Sequence, residues 1–118
     1  MKDGKNFVEI LMTPKTIELE FQDALVITAV FADFYGMAMG TEHHALFKRR
    51  YGPIKRQIKK LSSKIVPSNI LKFNAQDFSK KPELTLTLID WSDLILVLMS
   101  TPETEILIQE IREKMGEV

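Results

Sequence analysis

The residues best suited to chemistry in this chain are cations, and they are concentrated in one segment. Between residues 43 and 76 there are nine Lys or Arg residues and no Asp or Glu, so all 16 acidic residues lie outside this segment. The formal net charge of zero therefore hides a basic block within an acidic remainder. Such a surface attracts phosphate ligands, nucleic acids or acidic proteins. The cations that we assign to a candidate anion-binding surface are Lys48, Arg49, Arg50, Lys55, Arg56, Lys59, Lys60 and Lys64.

A helix is expected to position most of these cations. The apolar residues of the segment recur at spacings of four, three and four, which is the helical period, and they are Ile54, Ile58, Leu61 and Ile65. Pro53 suits the first position of a helix, and Pro67 is expected to end it. The spacing predicts an amphipathic helix over residues 53–66 that buries its apolar stripe and holds its cations in water.

This basic helix predicts binding to a polyanion, above all nucleic acid. Several phosphate contacts would give salt-dependent, sequence-independent affinity. Tyr51 is the only aromatic residue among the cations, so stacking of single-stranded bases is poorly supported. The alternatives are an acidic protein surface, including a second copy of this chain, and a helix face that only contacts water. In a homo-oligomer, the apolar faces of residues 24–39 or of the last helix would bury the interface.

Apolar runs elsewhere predict strands that alternate with helices. We expect one domain over residues 1–118 with an α/β fold, in which helices flank a mainly parallel sheet of about four strands. The alternative is an α+β fold with an N-terminal hairpin. Residues 17–21 and 83–90 could each form a strand or a helix. The predicted strands are residues 7–13, 43–48, 70–73 and 94–99, and the predicted helices besides the basic one are residues 24–39 and 101–115.

A second candidate site lies where these strands would end. Ligands of open α/β sheets gather beyond the carboxyl ends of the strands, near helix N-termini that favour anions. A nucleotide or phosphate ligand is therefore a further alternative. Neither of the glycine-rich phosphate-binding motifs occurs in the chain. The residues of this possible ligand pocket are Thr13, Lys15, Asn74, Ser100 and Thr101.

Other functional classes lack the residues they need. The chain has no cysteine, which excludes disulfides, thiol catalysis and zinc-finger sites. His43 and His44 are adjacent, so their side chains diverge and cannot readily bind one metal ion. Asp90 and Asp93 could share a helical face as an acid–base pair, although a polar break before a buried strand explains them equally well. With no catalytic motif, we expect a non-enzymatic protein without cofactor or metal.

The apolar segments also indicate in which cellular compartment the protein is expected. The longest apolar stretch, residues 24–39, is interrupted by Asp33 and Gly36 and is too short to span a bilayer. The N-terminal residues lack the apolar run and cleavage site of a signal peptide. We therefore expect a cytoplasmic protein with no membrane partner.

Two strings resemble the Toprim domain of topoisomerases and primases. LVLMSTPETEILI (residues 96–108) is similar to that family's apolar strand, acidic loop and helix, and FVEILMTPKTIE (residues 7–18) is similar to its first strand and turn. The resemblance implies an α/β fold. The family's metal-binding glutamate would fall at Met12 and its two aspartates at Thr101 and Glu103, and only Glu105 matches a later acidic position. The resemblance therefore implies neither a Mg²⁺ site nor phosphodiester chemistry.

Overall fold

The computed structural model describes residues 6–65 and 81–116, and this part of the chain is mostly helical. Two long helices, a short two-stranded sheet and a central buried helix make up the core. In chain order the elements are α1 (Asn6–Met12), β1 (Pro14–Glu18), α2 (Phe21–Met39), α3 (His44–Ile65), β2 (Glu83–Thr87), α4 (Leu88–Leu98), a 3-10 turn (Pro102–Thr104) and α5 (Glu105–Lys114).

The sheet pairs two strands that are distant in sequence. β1 and β2 are antiparallel, with Pro14 opposite Thr87 and Ile17 opposite Leu84. Apolar and polar residues alternate along β2, so that Leu84 and Leu86 are buried while Thr85 is exposed. This is the pattern of a sheet with one face on the core and one in water. The sheet therefore covers one side of the helical core.

Helix α4 is the central element of the core. It packs against α1, α2 and α3, and Trp91, Leu94 and Leu98 on it have no exposed surface. The indole Nε1 of Trp91 donates a hydrogen bond to the backbone carbonyl of Lys15, with an N–O distance of 2.9 Å. A buried tryptophan usually finds such a partner for its N–H group, and here the bond attaches α4 to β1.

Helices α2 and α3 pack against each other through aromatic rings. Phe34 of α2 meets Tyr51 of α3 edge to face, with ring centroids 5.0 Å apart. Phe47 lies nearby, with its centroid 6.4 Å from that of Phe34. Such pairs add about 0.5–1.5 kcal/mol each beyond the burial of their area. This cluster fixes how α3 is oriented, and so which of its faces points away from the core.

The expected α/β fold with a mainly parallel sheet is wrong. The described residues contain one antiparallel pair of strands, and the helices dominate. The N-terminal hairpin of the α+β alternative is also wrong, because β1 pairs with β2 and not with residues 7–13. The α/β fold implied by the resemblance to Toprim domains is overturned with it. The predicted strand over residues 70–73 lies outside the described residues.

Three predicted strands are helical. Residues 7–12 lie in α1, residues 44–48 open α3, and residues 94–98 lie in α4. A continuous apolar run fits a buried strand and a buried helix equally well. In α4 the preceding residues, Leu88 to Asp93, belong to the same element, which is 11 residues long and helical. The N-cap of α4 is Thr87, whose hydroxyl accepts a hydrogen bond from the backbone N–H of Asp90.

The helix predictions came closer. Residues 24–39 are helical within α2, although the helix begins at Phe21 and not after Asp23. Helix α3 includes residues 53–65 of the predicted basic helix but starts nine residues earlier, at His44, and contains Pro53 in its interior. The last helix buries Leu107 and Ile111 as predicted. Gly116 follows it with a φ of 80°, a conformation that glycine adopts without strain.

Candidate functional site

Helix α3 carries all eight cations of the candidate anion-binding surface. Its core-facing stripe is Tyr51, Ile54, Ile58 and Leu61, all of which are buried. These residues recur at spacings of three, four and three, so they occupy one face of the helix. The remainder of the helix circumference faces away from the core. No Asp or Glu occurs in α3, so this outward face is uniformly basic.

The outward cations fall into two rows with the same spacing. The first row is Lys48, Lys55 and Lys59, and the second row is Arg49, Arg56 and Lys60; all six side chains are exposed. Within each row the residues are seven and four positions apart, which is close to two turns and one turn of a helix with 3.6 residues per turn. Consecutive residues lie about 100° apart around the axis. The second row therefore runs parallel to the first, about a quarter of the circumference away.

The first row borders α2. The Nζ atom of Lys55 lies over the ring of Tyr35, 5.0 Å from its centroid. A lysine in this position is attracted to the negative face of the ring. The contact holds the first row against the side of the helical pair, while Lys55 remains exposed.

Arg56 of the second row borders a cleft of about 240 Å³ between α3, β2 and the start of α4. Arg56, Gln57, Thr85 and Asp90 are among the residues that line it. Partial burial raises the pKa of the Asp90 carboxyl, the hydrogen bond with Thr87 lowers it, and the negative charge of Asp93 raises it further. Arg56 lowers that pKa in turn, so the second row meets one carboxylate at its edge.

Arg50 belongs to neither row. Its Nη2 donates to Oδ1 of Asp93 at 2.7 Å, and its Nε donates to Oδ2 at 3.3 Å. The Asp93 side chain is 12% exposed and that of Arg50 is 54% exposed. The hydrogen bonds and charge of Asp93 raise the pKa of Arg50 above its usual value. Arg50 thus links α3 to α4, and the carboxylate of Asp93 neutralises its positive charge.

Among Arg50 and the six cations of the two rows, all within the described part of the chain, only Arg50 forms an ion pair with a carboxylate. Lys64 lies exposed near the end of α3. The six exposed cations of the two rows therefore form a basic surface on α3 whose charges are not paired in this way. Sequence reasoning named all six but missed their arrangement, which the doublets at 48–49, 55–56 and 59–60 would have revealed.

The residues of the predicted ligand pocket are not brought together. Thr13 and Lys15 lie beside the start of α4, because Pro14 pairs with Thr87. Ser100 and Thr101 follow the other end of α4, and an 11-residue helix is about 16 Å long. The Thr13 and Ser100 hydroxyls donate to the local carbonyls of Glu9 and Val97. Asn74 lies outside the described residues. The parallel sheet on which this site depended is absent from the described residues.

The histidines make local contacts. His43 Nε2 lies 3.6 Å from a carboxylate oxygen of Glu42, and Nδ1 of His44 lies 3.2 Å from the carbonyl oxygen of Thr41. Residues 6–65 and 81–116 contain no group of three or more His, Asp or Glu side chains placed to hold a metal ion.

Several large apolar side chains are exposed. On α1 they are Phe7, Val8, Ile10 and Met12, on α2 they include Met37 at 69%, and on α5 Ile106 reaches 76%. Even so, none of the described helices is both long enough and apolar enough to cross a lipid bilayer. No protein-family model, curated protein or solved structure matches this chain.

Proposed function

We propose that this protein is a non-enzymatic binding module that engages nucleic acid through the outward face of α3. The observation that carries the proposal is the set of six exposed cations in two rows, on a helix without a single carboxylate. A polyanion with regularly spaced charges matches such a surface. A single phosphate ligand would leave most of the cations unused.

The expected affinity is electrostatic in origin. Each lysine or arginine that contacts a phosphate releases a condensed counterion, so the affinity falls as the salt concentration rises. Phosphate contacts carry no sequence information directly. We therefore expect steep salt dependence and little preference among sequences.

The test compares two charge reversals of equal size. Lys59→Glu together with Lys60→Glu removes one cation from each row, at exposed positions. Arg112→Glu together with Lys114→Glu makes the same change in net charge on α5. We expect the α3 variant to lose at least tenfold in affinity for DNA or RNA and the α5 variant to lose much less. Circular dichroism verifies that both variants are folded. Equal losses in the two variants would mean that net charge, and not this face, governs binding, and would contradict the proposal.

A second candidate function is assembly, either with an acidic partner protein or as a homo-oligomer. It is favoured by the exposed apolar side chains of α1 together with Met37 and Ile106, since large apolar patches mark interaction surfaces. Light scattering tests it, because a homo-oligomer has a particle mass that is a multiple of 13.6 kDa. In that case Met37→Lys or Ile106→Lys is expected to lower the mass. A wild-type particle of monomer mass would exclude the homo-oligomer.

A further inference from the structure

The length and separation of the two rows match the major groove of a nucleic-acid duplex better than they match a single nucleic-acid strand. The first and last cations of each row are 11 positions apart, which corresponds to about 16 Å along the helix axis at 1.5 Å per residue. With its side chains an α-helix is about 10–12 Å wide, and the major groove of B-DNA is about 12 Å wide. A helix that enters this groove has a phosphate backbone on each side of it. The rows lie on the two sides of the outward ridge of α3, where these backbones would be.

The ridge between the rows is made of small residues. By helical position, Ala45, Gly52 and Ser63 lie midway between the two rows. Nothing bulky or acidic on this line would hold α3 away from the floor of a groove. The ridge also lacks the arginine, asparagine or glutamine side chains that read base edges in pairs of hydrogen bonds. The arrangement combines close approach with little reading of sequence.

We propose that the ligand is duplex DNA, and that α3 lies in its major groove with one row of cations on each phosphate backbone. This inference rests on the proposed function. A single strand can meet only one row at a time. The major groove of A-form RNA is deep and too narrow for a helix. Duplex DNA is thus the nucleic acid that uses both rows at once.

The lateral contacts of the rows fit this placement. Lys55 lies over Tyr35 and Arg56 lies beside the cleft, and both side chains are exposed. Asp90 lines the same cleft as Arg56 and offsets part of its charge. We therefore expect Arg56 to contribute less to binding than Arg49 or Lys60, and the first row to contribute at least as much as the second.

The test measures affinity against salt for three ligands of mixed sequence: a 20-base-pair DNA duplex, one of its single strands, and the corresponding RNA duplex. Six phosphate contacts give a slope of log K against log salt of about −5 for duplex DNA. Three contacts give about −2 for a single strand. The row variants are Lys48→Gln with Lys55→Gln and Lys59→Gln, and Arg49→Gln with Arg56→Gln and Lys60→Gln. Each is expected to make the duplex slope shallower by about 2 to 3, and to change the single-strand slope much less.

The outcomes separate this inference from the function on which it rests. If single strands or duplex RNA bind as tightly as duplex DNA with the same slope, or if one row variant leaves the duplex slope unchanged, the groove placement is wrong while nucleic-acid binding stands. If none of the three ligands binds at 50 mM salt, both proposals fail. The helical circular dichroism signal of each variant is required to match the wild type. If a triple variant does not fold, the single substitutions Lys48→Gln and Arg49→Gln replace it, and each is expected to reduce the duplex slope by about 1.

Discussion

Arg50 and Asp93 form a two-point ion pair between α3 and α4, in which the carboxylate is almost buried and the guanidinium is half exposed. Arg50→Gln leaves that carboxylate without its charged partner. We expect the free energy of unfolding to fall by about 1–2 kcal/mol, which is less than for a fully buried pair because water reaches the arginine. Urea denaturation followed by circular dichroism measures the change.

The same pair distinguishes a stabilising cation from a binding one. The double variant Arg50→Gln with Asp93→Asn keeps the net charge, so we expect its slope of DNA affinity against salt to match the wild type. Lys59→Gln is the matched control, and we expect a shallower slope with little change in stability, because its side chain is exposed. A shallower slope in the double variant would show that Arg50 contacts the ligand.

Asp90 gives a prediction for pH. Its pKa is raised in the folded state, chiefly by burial, so the folded protein binds this proton more tightly than the unfolded chain does. That contribution to stability is complete below the ordinary aspartate pKa of 3.8 and is lost as the pH rises through the higher folded value. At pH 7, Asp90→Asn is therefore expected to stabilise the protein slightly, by less than about 1 kcal/mol because the site is only partly buried.

Unfolding in urea at pH 7 and at pH 3 tests this sign. The increase in the free energy of unfolding caused by Asp90→Asn should be smaller at pH 3, where the wild-type carboxyl is protonated. A variant that is destabilised at pH 7 would show instead that the charge of Asp90 at the start of α4 is favourable, as the helix dipole alone would predict.

Trp91 is expected to be the most sensitive position of the core. It is 0% exposed, and Trp91→Phe removes both volume and the hydrogen bond to the Lys15 carbonyl. We expect a loss of about 2–3 kcal/mol in the free energy of unfolding. Circular dichroism must report it, since Trp91 is the only tryptophan and its fluorescence disappears with it. The exposed neighbour Ser92→Ala is the control, and it should change stability by less than about 0.5 kcal/mol.

Pro53 lies inside α3, where it has no N–H to donate to the carbonyl of Arg49. Pro53→Ala restores this donor, while it also gives the unfolded chain more freedom. In a helix interior alanine is favoured over proline by about 3 kcal/mol, which exceeds the cost of about 1 kcal/mol from the greater freedom of the unfolded chain. We expect a net gain of about 1–2 kcal/mol, measured as a higher urea midpoint. A loss of stability would show that the packing of the proline ring in the cleft matters more.

Features that depend on residues close together in the sequence were predicted better than features that depend on contacts between distant residues. The stripe of Ile54, Ile58 and Leu61 lies within one helix, and the burial of those residues was predicted correctly. The partner of β1 could not be found, because Thr16 and Thr85 are 69 positions apart and either strand alone resembles several alternatives. The apolar run in α4 fits a buried helix and a buried strand equally well.

The candidate surface shows the same division. The cations themselves could be identified from the sequence. The ion pair of Arg50 could not, because its partner Asp93 is 43 residues away. The ring of Tyr35 beneath Lys55 is likewise a tertiary contact between α2 and α3. Local spacing gives the identity and order of charged groups, and only packing shows which of them are already neutralised.

The strands that close the fold are far apart in the sequence, with α2 and α3 between them. Closing so long a loop is costly in entropy, whereas neighbouring helices meet after a short search. During synthesis the pair α2–α3 is complete well before β2 has left the ribosome, so the basic helix is expected to exist before the sheet does. An incomplete chain would then already display its positive surface, while the apolar side of the pair still awaits α4.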